Sequence, residues 1–354
     1  MIINKLSFSG FRNLKNAEIY PDSGINIICG DNAQGKTNII EAIWLFTGAK
    51  SFRTVKDNEL VGFNCEKAQL TLDFISGGIE NNAEIIIKER RTAIFGGKKL
   101  NSASLLAGKF YAFVFSPADL MLVTAAPSIR RKFLDIAIGQ LYPKYIDFLR
   151  RYTRAVMQRN NILRDCLKDA SLKIMLEGFE EEIAVSGEKI IEYRRRYIEK
   201  LKGYAPDIYS GISENSEFLE IEYICSAKDD NLKDALNKTR REDMLRGVTT
   251  VGPHRDDIIF KINGFSAREY GSQGQKRSIA LSLKLAEAEI INNIMGELPV
   301  ALLDDVMSEL DKKRQNYILN KIKGRQVFIT CCDNSNFEGL EKGKVFIIKN
   351  GEIF

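Results

Sequence analysis

A short glycine-rich segment near the N-terminus contains a lysine and a threonine at a spacing that is typical of phosphate binding. Its sequence is Gly30-Asp31-Asn32-Ala33-Gln34-Gly35-Lys36-Thr37-Asn38. Its pattern, G-x-x-x-x-G-K-[ST], lies between an apolar run at 25–29 and a helical-looking run at 38–46. In such a loop, glycines let backbone N–H groups point at phosphate oxygens, the lysine carries charge to the β- and γ-phosphates, and the threonine ligates Mg²⁺. We predict a nucleotide site with Mg²⁺ formed by these residues. The alternative is a glycine-rich surface turn that happens to carry a lysine.

A pair of carboxylates late in the chain supplies the second half of a hydrolytic site. Asp304 and Asp305 follow the apolar run 300–303, which is typical of a buried strand. We expect Asp304 and the Thr37 hydroxyl to hold Mg²⁺, and Asp305 to act as the general base for water. With Lys36 as the other catalytic residue, this pattern predicts an ATPase.

A Ser/Gly turn at 271–274 precedes a helix predicted over 274–294. Free N–H donors and the positive end of the helix dipole make such a turn an anion site, whereas the simpler interpretation is an N-cap formed by Ser272. The turn stands shortly before the two acids, an order that resembles the signature motif of ABC-type ATPases. The segment 307–311 then resembles their dimer-interface loop.

This resemblance implies a head-to-head homodimer. In ABC-type ATPases the signature serine and glycine of one subunit contact the γ-phosphate held by the loop of the other. Ser272, Gly274 and Gln275 are therefore expected to contact ATP across the dimer. ATP would hold two copies together, and hydrolysis would release them because the bridging contacts depend on the γ-phosphate.

Composition argues against several other classes of protein. The chain has 354 residues, enough for about two domains, and 44% of them are hydrophobic, which allows a sizeable core. Six cysteines without a C-x-x-C pair, and a single histidine, argue against a zinc site. The chain does not open on a signal-like segment, and no run reaches the ~18 apolar residues of a membrane span. We therefore expect a cytoplasmic protein that has no membrane partner.

Apolar patterning predicts a β-rich lobe, a helical insert and an α/β lobe, in that order. Expected strands lie at 2–8, 17–20, 25–29, 68–75, 83–89 and 111–115, and after the insert at 219–225, 257–262, 299–303, 326–330, 344–349 and 351–354. The predicted fold class is α/β, with a discontinuous ABC-type ATPase head at 1–126 and 216–354. A helical lid or short arm is inserted at 127–215, as an antiparallel helix pair of about 30–45 Å at 1.5 Å per residue.

Positive charge is concentrated in the insert. Residues 128–204 include 17 Lys or Arg and 11 Asp or Glu, a surplus of six, whereas the whole chain carries +5. The local clusters are Arg130-Arg131-Lys132, Arg150-Arg151 with Arg154, and Arg194-Arg195-Arg196. Such clusters suit salt-sensitive contacts with DNA phosphates, and a solvated helix face is the alternative.

Several phrases resemble the RecF family of DNA replication and repair proteins, a short-armed branch of the ATPases with SMC-like heads. They stand at 30–38, 51–54, 115–120, 130–135, 252–257, 272–275 and 304–311, while the phrase at 6–14 resembles the start of SMC-like heads. The resemblance implies an ATP-induced dimer on double-stranded DNA near single-strand gaps or single-strand/double-strand junctions. It also implies weak, DNA-stimulated ATP hydrolysis and work with RecR and RecO in loading a recombinase during repair.

Three residues of these phrases have roles that the sequence leaves open. Arg12 is expected to reach the nucleotide phosphates, and Arg53 to contact or sense DNA, but both are equally suited to ion pairs or to the surface. His254 is either a site residue or an ordinary loop histidine.

Other positions depart from the general ABC pattern. No Q-loop glutamine follows Phe115, so Ser116 or Asp119 is expected near the metal, and Thr330 stands where transporters have a switch histidine. Two other functions also stay open. One is an ATP switch that recruits partners while turnover is incidental, and the other is a nuclease-associated ATPase of the OLD type, although no additional acidic domain is evident.

Overall fold

The computed structural model describes residues 1–53, 56–165, 173–228, 231–332 and 343–354. Within these ranges the strands are β1 (Ile2–Ser9), β2 (Ala17–Ile19), β3 (Ile25–Cys29), β4 (Ala68–Ser76), β5 (Ile79–Ile87), β6 (Arg91–Phe95), β7 (Lys98–Leu100), β8 (Ala112–Phe115), β9 (Leu219–Ile224), β10 (Asp257–Ile262), β11 (Phe265–Ser266), β12 (Val300–Leu303), β13 (Val327–Cys331), β14 (Gly343–Lys349) and β15 (Glu352–Ile353). The α-helices are α1 (Lys36–Leu45), α2 (Pro127–Leu141), α3 (Pro143–Asp165), α4 (Lys173–Ser213), α5 (Leu232–Arg246), α6 (Ala267–Tyr270), α7 (Gln273–Met295) and α8 (Lys312–Lys321). Short 3₁₀ turns lie at Asp57–Leu60, Ala103–Leu106, Asp119–Met121 and Met307–Glu309.

A mainly parallel sheet carries the residues that the sequence analysis singles out. Its strand order is β15-β14-β3-β13-β12-β8, and only the β14–β15 pair is antiparallel. Strands β3 and β8 precede the helical region while β12 and β13 follow it, so both halves of the chain build this sheet. The inner strands are almost continuously apolar and buried, as expected for a parallel sheet covered on both faces.

A second, antiparallel sheet has the order β2-β1-β4-β5-β6-β7. It corrects three expectations. The strand predicted at 83–89 begins earlier, at Ile79, and β6 and β7 were not predicted. Strand β3, which precedes the phosphate-binding loop, was predicted in the β-rich lobe but lies in the parallel sheet. Two Gly-Gly turns, at 77–78 and 96–97, have positive φ at both residues and connect β4 to β5 and β6 to β7.

Helices α2, α3 and α4 occupy the range predicted as an insert. Ion pairs Arg151–Glu182 and Arg159–Glu180 show that α3 and α4 run antiparallel. Helix α4 has 41 residues, about 60 Å at 1.5 Å per residue. It is longer than expected because it also packs against α7 in a core shared with β9 and β10. Helix α5 was not predicted. No helix in the described ranges is long and apolar enough to cross a membrane.

Two arginines of the basic clusters are internal, which limits the basic surface that the sequence suggested. Arg130 is buried and pairs with Asp257 at 2.7 Å. Arg194 is 2% exposed, pairs with Asp135 at 2.8 Å and donates to the carbonyl oxygen of Pro253. These charges join α2 and α4 to the strand β10 region and are not available to DNA phosphates. The exposed cluster members are Lys132, Arg150, Arg151, Arg154, Arg195 and Arg196.

A third arginine, Arg159 in α3, lies at the centre of a buried ionic network. It is fully buried and donates to Glu180 of α4, to Asp243 of α5 and to the Thr249 hydroxyl. Asp243 also accepts hydrogen bonds from the backbone and side chain of Thr250. The network therefore fixes three helices and the segment that leads to β10.

Replacing Arg159 by Ala should strongly destabilise the protein, because it leaves Asp243 as a buried carboxylate without its cation and leaves buried Glu180 with Arg240 alone. The expected loss is about 3–5 kcal/mol of unfolding free energy, measured as a lower denaturant midpoint. The matched control is Arg151→Ala on the same helix, whose exposed pair with Glu182 should matter little. Equal losses in the two variants would contradict a structural role for the network.

The single histidine lies in the junction between α3 and β10. His254 Nδ1 accepts from the Tyr152 hydroxyl at 2.5 Å, and Nε2 donates to the carbonyl oxygen of Thr249 at 3.0 Å. Burial lowers the pKa of His254 from 6.5 to about 4, because the charged ring would lose its hydration. The contacts place His254 in the packing of the helical region, and its proposed alternative role in the nucleotide site stays a prediction.

His254 should therefore stay neutral in the folded protein well below pH 6.5. The unfolded chain takes up this proton near pH 6.5 and the folded chain only near pH 4, so this group removes stability as the pH falls through that window. NMR of the one histidine should give a midpoint near 4. In His254→Gln the loss of stability between pH 7 and 5 should be smaller, and a midpoint near 6.5 in wild-type protein would contradict the burial argument.

Candidate nucleotide-binding site

The phosphate-binding loop connects β3 to α1, as the sequence predicts. Gly35 is the N-cap of α1 with φ +117°, and a Cβ there would lie 2.8 Å from Leu14 Cδ2. Glycine is therefore required for both the backbone conformation and the close approach of the chain. Helix α1 begins at the end of the loop, so its N-terminal N–H groups and the positive end of its dipole face the loop. Its first turn contains no acidic side chain that would oppose an anion there.

Lys36 lies across the loop that precedes it. Its ammonium donates to the carbonyl oxygens of Gly30 at 2.6 Å and Asp31 at 3.2 Å, and the residue is only 4% exposed. A buried lysine normally has an acidic partner, and here two backbone carbonyl oxygens accept its hydrogen bonds instead. The charge is thus held at the centre of the predicted phosphate cradle.

Neighbouring segments hold the rest of the loop. Asn13 donates to the carbonyl oxygen of Ala33 and accepts from the Asn38 amide at 2.6 Å. The Gln34 side chain accepts from the backbone N–H of Asn350 in the β14–β15 turn. Asp31, Asn32 and Ala33 are exposed at the mouth of the loop. The nine predicted residues, 30–38, thus form a loop and the first turn of α1, and hydrogen bonds from neighbouring segments hold them in place.

Thr37 and Asp304 meet at the carboxyl edge of the parallel sheet. The Thr37 hydroxyl donates to Asp304 Oδ1 at 2.8 Å, although the two residues are 267 positions apart. Burial raises the pKa of Asp304, while hydrogen bonds from Thr37 and Thr330 oppose that rise. A hydroxyl and one carboxylate are oxygen ligands that Mg²⁺ uses together with water and substrate phosphates. The donor set fits Mg²⁺, and Thr37 and Asp304 are the residues that would hold it.

Asp305 has an unusual backbone that Thr330 holds in place. Its φ is +50°, a conformation that costs energy in residues other than glycine. The Asp305 N–H donates to the Thr330 hydroxyl at 2.7 Å, and that hydroxyl lies 3.0 Å and 3.1 Å from Oδ1 of Asp305 and Asp304. Thr330, at the predicted switch-histidine position, thus contacts both acids and positions them.

Arg12 and Arg53 converge on one buried carboxylate beside the loop. Glu41 of α1 is fully buried and accepts two hydrogen bonds of 2.9 Å from Arg12. Arg53 lies 3.8 Å from Glu41 and donates to the Asn38 side chain at 2.6 Å. The structure confirms neither the phosphate contact of Arg12 nor the DNA contact of Arg53, and both stay predictions. Sequence reasoning missed Glu41, because an acid within a helical run gives no sign of its partners.

The signature turn has the geometry of a helix cap. The Ser272 Oγ accepts from the backbone N–H of Gln275 at 3.2 Å, and the Ser272 N–H donates to the Gln275 side chain at 2.7 Å. This capping box begins α7 and leaves Ser272 exposed. Gln275 also donates to Glu217 at 2.6 Å. In the described part of the chain, no hydrogen bond or ion pair joins this turn to the loop at Gly30.

Two arginines link the signature turn to the segment after the acids. Arg314 of α8 donates to the carbonyl oxygen of Gly274 at 3.0 Å and pairs with Asp311. Arg277 of α7 donates to the carbonyl oxygen of Glu309. These partners were not predicted from the sequence. They make the turn at Ser272 and the segment 307–311 parts of one surface.

Ser116 and Asp119 lie beside β12 at the predicted Q-loop position. The Asp119 carboxylate accepts from the backbone N–H and the hydroxyl of Ser116, both at 2.8 Å. The adjoining Phe115 carbonyl oxygen accepts from the N–H of Asp304 at 2.9 Å. The segment is therefore attached through the backbone to Asp304, the predicted Mg²⁺ ligand, while a direct role of either side chain stays a prediction.

The family model for the RecF/RecN/SMC N-terminal domain matches residues 2–352. The DNA replication and repair protein RecF of Clostridium kluyveri is 40% identical over all of this chain and 99% of its own length. RecF of Lactobacillus acidophilus is 37% identical over all of this chain and 98% of its own length.

Solved structures give the same answer. The recombination mediator protein RecF with ATP, in the RecFOR pathway, is 38% identical with a TM-score of 0.91, over 100% of this chain and 97% of that one. An Smc head domain from Pyrococcus furiosus, at 16% identity and a TM-score of 0.56, covers 99% of this chain and 95% of its own and shares the fold. The predicted ABC-type ATPase head is confirmed, and the chain belongs to the RecF family of DNA replication and repair proteins.

Proposed function

We propose that this protein is an ATP-dependent DNA clamp that acts in recombinational repair and at replication forks. An ATP-bound dimer binds double-stranded DNA near single-strand gaps, helps RecR and RecO to load a recombinase, and leaves the DNA when ATP is hydrolysed. The observation that carries the proposal is the hydrogen bond between Thr37 and Asp304, which joins the phosphate loop to the acid that follows β12. The likeness to RecF with ATP in the RecFOR pathway supports the ligand and the partners.

The residues divide the work of hydrolysis. Lys36 and the N-terminus of α1 neutralise phosphate charge, and Mg²⁺, which Thr37 and Asp304 would hold, would supply further charge compensation. Asp305 accepts a proton from the attacking water, and Thr330 holds that carboxylate through its backbone and side chain. The Ser272 turn is exposed, and no hydrogen bond or ion pair in the described part of the chain joins it to the loop of its own subunit, so the proposal assigns the signature contact to a second copy.

DNA binding is proposed to depend on phosphate contacts. The exposed basic residues include Lys132, Arg154, Arg195 and Arg196, whereas Arg130 and Arg194 serve the interior. Contacts of this kind carry no base specificity and weaken with salt, because bound counterions are released on association. We therefore expect such a clamp to recognise a structural feature of DNA and not a base sequence.

Nucleotide should control DNA binding. A labelled gapped duplex is titrated with the protein in Mg²⁺, and binding is measured by fluorescence anisotropy. Tight binding is expected with ATP but not with ADP or in the absence of nucleotide. The binding with ATP should weaken at higher salt. Lys36→Met should lose ATP binding. Ser272→Arg should bind ATP as a monomer yet form neither ATP-induced dimers nor the DNA complex.

Two results would contradict the clamp. DNA binding that is indifferent to nucleotide, or absent, would favour an ATP switch that recruits partners. If Ser272 were only a cap, Ser272→Arg would cost roughly 1 kcal/mol of stability and leave ATP-induced dimers intact.

Asp305→Asn should separate binding from turnover. The amide keeps the side-chain shape but cannot accept the proton of water, so hydrolysis should fall by about 10²–10⁴-fold. ATP binding and ATP-induced dimers, measured by equilibrium dialysis and light scattering, should persist. A steady-state ATPase rate equal to that of the wild type would remove Asp305 from the role of base.

A further inference from the structure

The guanidinium group of Arg314 in α8 joins the signature turn to the segment that follows the two acids. Its Nη2 donates to the carbonyl oxygen of Gly274 at 3.0 Å, and its Nε donates to Ser278 Oγ at 3.0 Å. Its Nη1 pairs with the Asp311 carboxylate, which also caps α8. The side chain is only 22% exposed. All three nitrogen atoms of one planar cation thus have an acceptor, and two of these acceptors lie on α7.

This cation is packed directly against the backbone of the turn. Ser278 is buried, and its hydroxyl donates to the same Gly274 carbonyl oxygen at 3.0 Å, so the three residues form a closed ring of hydrogen bonds. A Cβ at Gly274 would lie 3.2 Å from Arg314 Nη2, so a side chain there would press on the guanidinium. The ring uses two donors of a planar fork, whereas a lysine offers a single ammonium. The arrangement therefore requires an arginine.

A single peptide group connects this ring to the Ser272 hydroxyl. The carbonyl of Gly274 accepts from Arg314, and the N–H of the same peptide group, which belongs to Gln275, donates to Ser272 Oγ at 3.2 Å. A peptide group is planar and rigid, so the position of its oxygen sets the direction of its N–H. A cation at the oxygen also polarises the group and strengthens the N–H as a donor. Arg314 therefore acts on the Ser272 hydroxyl through one rigid unit.

We propose that Arg314 is a positioning residue of the ATP site that two subunits share. Through the peptide group between Gly274 and Gln275, it fixes the Ser272 hydroxyl that contacts the phosphate bound by a second copy. Arg314 acts through the turn and not on the phosphate itself. This inference rests on the proposed function, because it takes the Ser272 turn to act on ATP held by the other subunit.

The first turn of α8 also leads to the acid of its own subunit, which defines the alternative role. The Gln315 side chain donates to two carbonyl oxygens of the segment 307–311, at 2.7 Å and 3.0 Å, and Ser308 Oγ donates to the carbonyl oxygen of Asp305 at 2.8 Å. Arg314 contacts the signature turn directly, whereas its path to Asp305 runs through Gln315 and Ser308. The geometry therefore favours an effect on the site that the partner binds.

Arg314→Ala should weaken ATP-induced dimers and leave ATP binding by the monomer unchanged, because the phosphate-binding loop keeps its own contacts. The dimer dissociation constant in saturating ATP should rise about tenfold to a hundredfold, the effect of losing hydrogen bonds to a charged group. Ser278→Ala removes one member of the ring and should have a smaller effect in the same direction. The matched control is Lys313→Ala on the same helix, whose exposed pair with Glu214 should not affect the dimer.

Equilibrium dialysis for ATP and light scattering for dimers separate this role from a purely structural one. Arg314→Lys keeps the charge but not the planar fork, so it should show the same separation of the two quantities with a smaller change. A wild-type dimer constant in Arg314→Ala overturns the inference. ATP affinity and dimer affinity that fall together in both Arg314 variants overturn it as well, because a general loss of structure would produce that result.

Mixed dimers test in which site Arg314 acts. Lys36→Met should bind no ATP, yet its Ser272 turn and its own Arg314 are intact. It can therefore supply an intact turn to the ATP that an Arg314→Ala subunit binds. Each variant alone should hydrolyse ATP slowly, and excess Lys36→Met should raise the ATPase rate of Arg314→Ala toward half the wild-type rate per dimer. If Arg314 instead positioned Asp305 in its own subunit, the mixture would contain no complete site and the rate would stay low.

Ser272→Arg mixed with Lys36→Met is the reference, because the proposed function predicts that this mixture regains ATPase activity in the same way. If the reference mixture regains activity and the Arg314→Ala mixture does not, the inference alone is overturned. If neither mixture regains activity, the contact between subunits fails, and the proposed function is overturned together with the inference.

Discussion

The hydrogen bond between Thr37 and Asp304 can form only if two distant parts of the chain enter one sheet. Strand β13 lies between β3 and β12, the strands that lead to these two residues, and it places Thr330 against both acids. The antiparallel sheet, the helical region and the turn at Ser272 are all arranged around that parallel sheet. A change that shifted β13 by one residue would therefore move Thr330 and separate the two acids from their common partner.

The site residues were predictable because their chemistry requires fixed types at fixed spacings. The loop at 30–37 and the acids at 304–305 lie where the sequence places them, at the ends of β3 and β12. The parallel strands and the long helices were also predictable, because apolar runs and helical spacing mark them. The missed β6 and β7 are short and partly polar, and the Gly-Gly turn at 96–97 that joins them was a signal left unused.

Side-chain partners were not predictable, since they depend on elements far apart in the chain. Arg130, Arg159 and Arg194 look like surface charge in the sequence, yet each pairs with an acid at least 21 positions away. The net charge of a sequence includes such buried arginines on the same footing as exposed ones. In this protein three of the 17 Lys or Arg of residues 128–204 stabilise the helical region and its junction with the head, and these three do not add to the basic surface.

The cap at Ser272 has a consequence for recognition between subunits. A serine hydroxyl has one proton to donate and two lone pairs to accept with, and the cap bond from Gln275 uses a lone pair. The contacts described for Ser272 leave that proton uncommitted while fixing the oxygen that carries it. Aspartate would cap α7 equally well, but it would meet a phosphate with negative charge and no donor. Helix stability and the proposed phosphate recognition thus impose different requirements on one atom, and a hydroxyl meets both.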